Sequence, residues 1–244
     1  MREVGLSATE FGPDGFLPGE PDAMTQVLDH HGLRPSVGSP RCCSTRPGTT
    51  DPVPEVERLL QGYDASGAGV LVLSAVTGQE GYDTRPGLDE AGWRTLLANL
   101  DRLTALAAEH AVRAVLHPHV GTMVENGDEV RRVLEGSSIP LCLDTGHRFI
   151  GGTDPAELAR QAPGRVQDGR LTYTEGVRDG MYRPLWSGDV DVPAIVGYLR
   201  ARGYGGWYVL EQDTILTGGP RGDGPAADVW ASAEYLRSVL RGTR

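Results

Sequence analysis

The chain has 244 residues, of which 39% are hydrophobic and 23% charged, and this balance is typical of a soluble globular protein with a substantial core. Its formal net charge of −10 argues against a nucleic-acid partner held through phosphate contacts. All 23 basic residues are arginines, so Schiff-base catalysis and a lysine general base are excluded.

The sequence also argues against a membrane protein and a disulfide-rich secreted one. No apolar stretch approaches the roughly 20 residues that a bilayer span needs, and the N-terminus lacks a signal-peptide profile. The three cysteines, Cys42, Cys43 and Cys142, have no metal-ligand spacing. We therefore expect a cytoplasmic protein without disulfides or a membrane partner.

Apolar runs with β-type composition alternate with amphipathic helical stretches along the chain. In chain order the pattern predicts strand 4–11, helix 21–31, helix 51–64, strand 69–76, helix 88–110, strand 112–116, helix 127–135, strand 140–143, helix 155–161, helix 192–202, strand 207–211 and helix 225–241. Such alternation predicts right-handed βαβ units and a parallel sheet. No glycine-rich phosphate-binding motif sits at a strand-to-helix turn, which weakens a doubly wound nucleotide-binding alternative.

Polar side chains follow several of the predicted strands, as they do at the catalytic rim of a (β/α)₈ barrel. They are Glu10, His117, His119, Asp144, His147 and Glu211. Imidazole and carboxylate ligands from several strand ends suit a divalent ion such as Mn, Co, Zn or Fe. Such an ion polarises a substrate carbonyl and holds the enediolate that forms when a base removes the neighbouring proton.

Several of these residues also have ordinary structural explanations. Asp144 is a common turn residue, and the two histidines that flank Pro118 could form a turn with surface imidazoles. Glu211 could be a salt-bridged residue of the rim. Glu125 is placed to offset the dipole at a helix N-terminus. Three loop residues are open between substrate contact and packing: Tyr182, Arg183 and Trp186.

Four segments carry a resemblance to a known family. They are HPHVGTMVE (117–125), LDTGH (143–147), MYRPLWSGDVDV (181–192) and GWYVLEQD (206–213). In this order they resemble the xylose-isomerase-like barrel superfamily of sugar isomerases and epimerases, and within it the myo-inosose-2 dehydratase-like branch. The resemblance implies one (β/α)₈ TIM-barrel domain over residues 1–244. It further implies a divalent metal (Mn, Co, Zn or Mg) and proton abstraction beside the carbonyl of a small sugar or polyol substrate.

The resemblance also implies roles by position. His117, Asp144 and Glu211 would be metal ligands, and Glu211 and His147 would be catalytic. Substrate contacts would come from His119, His147 and Arg183.

The chain departs from the family pattern in three segments. Relatives have a further βα unit before the part that resembles 8–18, and a late His-x-His-Leu-Lys-Asp-like strand after the part that matches 162–166. In addition, 39–50 is too polar to read as the expected strand. We therefore expect an incomplete barrel with fewer than eight well-formed βα units. Its unpaired edges would favour a homodimer, rearrangement or poor solubility.

These gaps leave rival functions open. One is a degenerate barrel that binds a ligand with turnover near background. A DNA-repair nuclease of the same superfamily is a second alternative, which the acidic net charge disfavours.

Overall fold

The computed structural model describes residues 1–12, 15–38, 51–152, 173–178, 180–211 and 224–242. In chain order, these residues contain β1 (Ala8–Thr9), α1 (Pro21–His30), β2 (Arg34–Pro35), β3 (Val37–Gly38), α2 (Val53–Ser66), β4 (Val70–Leu73), α3 (Glu90–Glu109), β5 (Arg113–Leu116), α4 (Gly127–Gly136), α5 (Thr145–Ile150), α6 (Tyr173–Arg178), α7 (Val192–Ala201) and α8 (Gly224–Gly242). Among them, no helix is both long enough and apolar enough to cross a membrane.

All strand pairs in the described residues are parallel, as the alternation of strands and helices predicts. β1 pairs with β2, and β3, β4 and β5 form a second sheet in that order. The four residues of β4 pair in register with the four of β5. A single bridge from Leu116 to Leu141 extends the pairing to the next segment. Parallel pairing brings the carboxyl ends of these strands to one rim.

The two helices that flank β5 show why these residues form helices. The side chain of Asp89 caps α3 by accepting a hydrogen bond from the Gly92 N–H at 2.8 Å. The apolar face of α3 then packs against the sheet and buries leucines at the three-and-four spacing that predicts this helix. α4 begins with a capping box, in which Asn126 and Glu129 satisfy each other's backbone N–H groups.

Four predicted strands are much shorter than expected or absent from the described ladders. Of 69–76, only Val70–Leu73 forms a strand. Only Ala8–Thr9 of 4–11 pairs, because residues 2–5 form a turn closed by the Gly5 N–H on the Arg2 carbonyl. The 140–143 segment contributes one bridge. Residues 207–211 have strand-like composition but no strand pairing with the described residues, and Val209 is exposed. A segment of strand-like composition forms a strand only where another strand lies beside it.

Some elements escaped prediction, and some predictions cannot be compared with the structure. The short strands β2 and β3 surround Ser36, where Pro35 and Gly38 weaken the β signal. The single-turn helix α5 lacks a periodic apolar face long enough to detect. Helix 155–161, the segment 39–50 and the place of the late family strand lie outside the described residues.

The loop of residues 77–89, which follows β4, lies over the rim and is fixed there by two contacts. Arg85 donates to Glu129 at 2.7 Å and also forms an ion pair with Glu125 at 3.1 Å. The backbone of Tyr82 lies so close to Gly121 that a Cβ added there would be 2.5 Å from the Tyr82 Cα. Gly121 also has a φ of +76°, so glycine is required both by conformation and by space.

We predict that Gly121→Ala destabilises the protein more than Gly78→Ala does. Gly78 has nearly the same φ, +74°, but nothing within 4 Å of an added Cβ. The control should therefore cost about 1–2 kcal/mol for the left-handed alanine alone. Gly121→Ala should cost at least about 1 kcal/mol more in urea unfolding, because backbone must move to admit the methyl group. Equal losses would contradict the close packing of the 77–89 loop.

Candidate metal centre

Three side chains with metal-binding atoms converge at the rim. His117, Asp144 and His147 each offer one ligand atom, and these atoms lie within 4.8 Å of one another. The closest pair is Nε2 of His117 and Oδ2 of Asp144, at 3.3 Å. We call these three residues the His–Asp–His cluster. It is the only such group of His, Cys, Asp and Glu found in the part of the chain that the structure describes.

Backbone hydrogen bonds that continue beyond the paired strand residues position the cluster. The His117 N–H donates to the Leu73 carbonyl at 2.7 Å, directly after β5. The Cys142 N–H donates to the Leu116 carbonyl at 2.7 Å, two residues before Asp144. These two bonds set His117 and Asp144 side by side at the end of the sheet.

The Asp144-x-x-His147 spacing has a local structural cause. Asp144 directly precedes α5, and its Oδ1 accepts a hydrogen bond from the His147 N–H at 2.6 Å. This is the contact of a helix N-cap with the third residue of the helix. The cap fixes the start of α5 and so places the His147 imidazole beside the same carboxylate.

Burial governs the charge of the cluster. His147 is 1% exposed, and Asp144 and His117 are largely buried. Burial alone would raise the pKa of Asp144. The hydrogen bond from His117, the fields of both imidazoles and the His147 N–H outweigh it and hold this pKa well below its usual range. The cluster therefore contains a carboxylate that stays ionised at neutral pH.

A third imidazole, His119, stacks on the cluster. Its ring lies 3.6 Å from that of His147, centroid to centroid, and 4.8 Å from that of Tyr82. Burial, with the fields of His147 and His117, lowers the pKa of His119 to about 4, although the Val120 carbonyl 2.6 Å from its Nδ1 opposes the shift. His119 is therefore neutral at pH 7.

Tyr182 closes the edge of the cluster. Its hydroxyl oxygen lies 3.1 Å from Nδ1 and 3.4 Å from Nε2 of His147. Its ring packs over Gly146, where an added Cβ would lie 3.0 Å from Cε1 of the tyrosine. The sequence left open whether Tyr182 contacts substrate or only packs within its loop. In the structure it packs on Gly146 and also lies at the edge of the cluster.

Next to His147 in the chain, Arg148 has a buried, charged side chain. Arg148 is 0% exposed, and none of its side-chain nitrogens has a hydrogen-bond partner among the described residues. Three carboxylates lie within electrostatic range: Asp144, Glu125 and Glu129. The last two form ion pairs with Arg85 instead. Burial lowers the pKa of Arg148 to about 10 against the pull of these carboxylates, so it remains charged at pH 7.

Further carboxylates act on the same region. Burial raises the pKa of Glu10, and the field of His117 opposes this shift. Burial also raises the pKa of the Cys142 thiol to about 12, with help from Asp144, Glu10 and Glu211. Glu211 is exposed and lies outside the His–Asp–His cluster.

The structure brings together four of the six residues to which the sequence assigned roles: His117, His119, Asp144 and His147. Glu211 and Arg183 have exposed side chains, and Arg183 lies beside Gly180. Sequence reasoning missed Tyr82, Arg85 and Arg148. The first two follow β4, so the rule that strand ends carry function would have indicated them. No local signal marked Arg148.

The parallel sheet with a polar rim at its carboxyl ends is that of a βα-barrel protein with a candidate cation site. A profile of the family described as xylose isomerase-like TIM barrel matches residues 1–239. The chain belongs to this family, and the predicted fold class is confirmed. The missing segments and the single domain over 1–244 stay predictions.

Curated relatives of the chain include a rhizopine catabolism protein and an inosose dehydratase. The rhizopine catabolism protein MocC of Rhizobium meliloti is 28% identical over 240 residues, covering 87% of this chain and 72% of that protein. An inosose dehydratase of Clostridium perfringens is 28% identical over 195 residues, covering 68% of this chain. The matched part spans 66% of that dehydratase, just under two thirds of its length.

Solved structures support the fold at low sequence identity. L-ribulose 3-epimerase superposes with a TM-score of 0.71 at 16% identity, covering 100% of this chain and 87% of that one. A xylose isomerase-like TIM barrel protein from Mycobacterium smegmatis, in complex with magnesium, gives a TM-score of 0.64 at 15% identity. It covers 99% of this chain and 86% of that one.

We predict that Arg148→Met stabilises the metal-free protein. Methionine fills most of the volume of the arginine stem but carries no charge that requires a partner. The free energy of unfolding should rise by about 1–3 kcal/mol in urea titrations with chelator present. Arg94→Met, at an exposed position of α3, should change it by no more than about 0.5 kcal/mol. A loss of stability in Arg148→Met would show that the buried guanidinium supports the fold.

We predict a specific acid sensitivity of the metal-free protein from His119. An unfolded histidine titrates near pH 6.5 and the folded His119 near 4, so between these values the unfolded state binds more protons. The unfolding free energy should therefore fall as pH drops from 6.5 toward 4, by up to about 3 kcal/mol from this group. In His119→Asn that part of the pH dependence should disappear, whereas His31→Asn, at an exposed position, should retain it. Identical pH profiles for wild type and His119→Asn would refute the assignment.

Proposed function

We propose that this protein is a divalent-cation-dependent enzyme that isomerises, epimerises or dehydrates a small sugar or polyol ketone. The reaction would begin with removal of the proton next to the carbonyl. The observation that carries the proposal is the His–Asp–His cluster at the rim where TIM-barrel enzymes place their active sites.

The cluster fits a divalent cation in donor type and in spacing. Neighbouring ligands of an ion with bonds of about 2.1 Å lie roughly 3.0–3.5 Å apart, and His117 and Asp144 are separated by 3.3 Å. Two imidazoles and one carboxylate suit Mn, Co or Zn, and Mg²⁺ is the fourth ion to test because a fold neighbour is named with it. Three protein ligands leave coordination positions for substrate oxygens.

In this proposal, the residues of the chain divide the remaining work. A bound cation would polarise the carbonyl and stabilise the enediolate charge. His117, Asp144 and His147 hold the site. Neutral His119 donates its Nδ1–H to the Val120 carbonyl, so its Nε2 can accept a hydrogen bond from a substrate hydroxyl. Glu211, which the resemblance implies as a ligand and a catalytic residue, is proposed as the carboxylate that receives the proton.

Two loops are proposed to complete the site. Arg183, in the same loop as Tyr182, is proposed to contact the substrate. The 77–89 loop is proposed to exclude water from the site next to His119. The names of the relatives, an inosose dehydratase and a sugar 3-epimerase, agree with a sugar or polyol ketone as substrate. The cytoplasmic location and the homodimer stay predictions.

The cation site is tested by titration calorimetry with Mn²⁺, Co²⁺, Zn²⁺ and Mg²⁺. We expect wild type to bind at least one of them, and Asp144→Asn to lose at least about 100-fold in affinity, because the anionic ligand is gone. Asp64→Asn is the matched control, since Asp64 pairs with His110 at 2.8 Å on the surface without a third ligand. Unchanged affinity in Asp144→Asn would contradict the proposed site.

The chemistry is tested by deuterium exchange, which reports proton abstraction whatever product follows. Wild type with the bound cation should exchange the proton next to the carbonyl of 2-keto-myo-inositol or of a ketose in D₂O, read by NMR. Asp144→Asn and a chelator should each abolish the exchange, and Asp64→Asn should not. Cation binding without exchange on any substrate of this class would favour the alternative of a barrel that binds without turnover.

A further inference from the structure

Three residues of the 77–89 loop contact different neighbours around the candidate metal centre. The ring of Tyr82 lies against that of His119, with the centroids 4.8 Å apart. The side chain of Asp83 accepts a hydrogen bond from the Thr174 N–H, in the first turn of α6, at 2.8 Å. The third residue contacts the start of α4. The loop therefore reaches from α4 to α6 and passes beside His119.

The contact with α4 is made by Arg85, which donates to three oxygens. Its Nε lies 3.1 Å from Oε2 of Glu125. Its Nη1 donates to Oε1 of Glu129 at 2.7 Å and to the Thr122 carbonyl at 3.3 Å. The three charged side chains are only 23%, 24% and 19% exposed, so water competes little with these charge-assisted hydrogen bonds. We expect this contact to be stronger than that of Asp83, which is exposed.

The carboxylates that receive Arg85 are fixed by the backbone that leads into α4. Oε2 of Glu125 also accepts the Gly121 N–H at 2.8 Å. Oε2 of Glu129 accepts the N–H groups of Glu125 and Asn126, at 2.8 and 3.1 Å. Because these bonds hold both carboxylates in place without Arg85, the start of α4 is a preformed receptor for the guanidinium.

We propose that Arg85 is a positioning residue that holds the 77–89 loop closed, with the Tyr82 ring against His119. In the closed loop, Tyr82 and His119 form one wall of the space at the His–Asp–His cluster. Release of Arg85 from the two glutamates lets this wall move away and opens a path for a ligand. That the ligand is a sugar or polyol ketone rests on the proposed function.

The first test measures how fast diethyl pyrocarbonate acylates His119, with the modified residue located by mass spectrometry. The reference is His31, which is exposed in the same protein. Arg85→Gln should raise the relative rate at His119 at least about 10-fold, because the loop loses its charge-assisted hydrogen bonds. Arg102→Gln is the matched control, since it also removes an arginine–carboxylate pair between distant segments, to Asp51 at 2.9 Å, and it should leave the rate unchanged. Equal rates in Arg85→Gln and wild type would overturn the inference.

The same experiment separates loop opening from general unfolding. His110 pairs with Asp64 at 2.8 Å, between α3 and α2, so its acylation reports whether these helices stay together. Its rate in Arg85→Gln should match that of wild type. A rise at His110 as large as that at His119 would show loss of the fold instead of loop opening and would contradict the proposed role.

A second variant tests whether Arg85 acts through the glutamates. Glu125→Gln keeps an oxygen for the Gly121 N–H but removes the charge that Arg85 binds, so it should also raise the acylation rate at His119. In the double variant the rate should be no higher than in Arg85→Gln alone. Additive effects would show that the two residues act separately and would refute the proposed contact as the attachment of the loop.

The role toward the substrate is tested with the cation bound. Arg85→Gln should bind the cation with wild-type affinity, because none of the three ligands is changed. The rate of deuterium exchange at saturating substrate should fall at least about 10-fold, because the open wall no longer positions the substrate. Unchanged exchange would contradict the positioning role. If wild type binds no cation, the proposed function fails, while the acylation rates still decide whether Arg85 holds the loop closed.

Discussion

The candidate site depends on the continuation of the parallel ladder past the ends of its strands. The Leu73 carbonyl at the end of β4 receives the His117 N–H, and the Leu116 carbonyl at the end of β5 receives the Cys142 N–H. The first bond is made by the amide of His117 itself, and the second by an amide two residues before Asp144. Since parallel strands end at one rim, the two bonds bring together histidine and aspartate from segments 27 residues apart. The loops that follow the strands, including the 77–89 loop, pack on the rim that these two hydrogen bonds define.

Burial then determines which charges this rim contains. His119 is kept neutral and Asp144 ionised, so the cluster offers imidazole lone pairs beside one fixed negative charge. Arg148 opposes that charge without a hydrogen bond to any residue that the structure describes, which is an unfavourable arrangement for a buried charged group. Its cost is tolerable because Glu125 and Glu129 contribute a favourable field while they are paired with Arg85. Arg148 therefore lowers the stability of the fold while it offsets the negative charge of Asp144.

Periodicity and capping residues are local properties, and they predicted the long helices to within two or three residues of their observed ends. α3, for example, was expected over 88–110 and occupies Glu90–Glu109. The strands were predicted less well, because a strand requires a partner that composition does not encode, as 207–211 shows. Because the carboxyl ends of parallel strands meet at one rim, the polar residues at those ends were predicted to converge: His117, His119, Asp144, His147 and Glu211. The first four lie together, whereas Glu211 is exposed and lies outside the His–Asp–His cluster. The contribution of Arg148 arises from packing between segments distant in sequence, and no local pattern marks it.

The Asp-x-x-His spacing shows why a structural and a chemical explanation need not compete. As an N-cap, Asp144 satisfies a backbone donor of α5, a requirement of any helix start. The cap uses Oδ1, while Oδ2 faces His117. One carboxylate can therefore begin a helix with one oxygen and hold a cation with the other. The helix that it begins carries His147, the remaining ligand candidate, one turn away. In the sequence Asp144 looks like an ordinary turn residue. Its candidate chemical role follows from its position at the rim of the sheet.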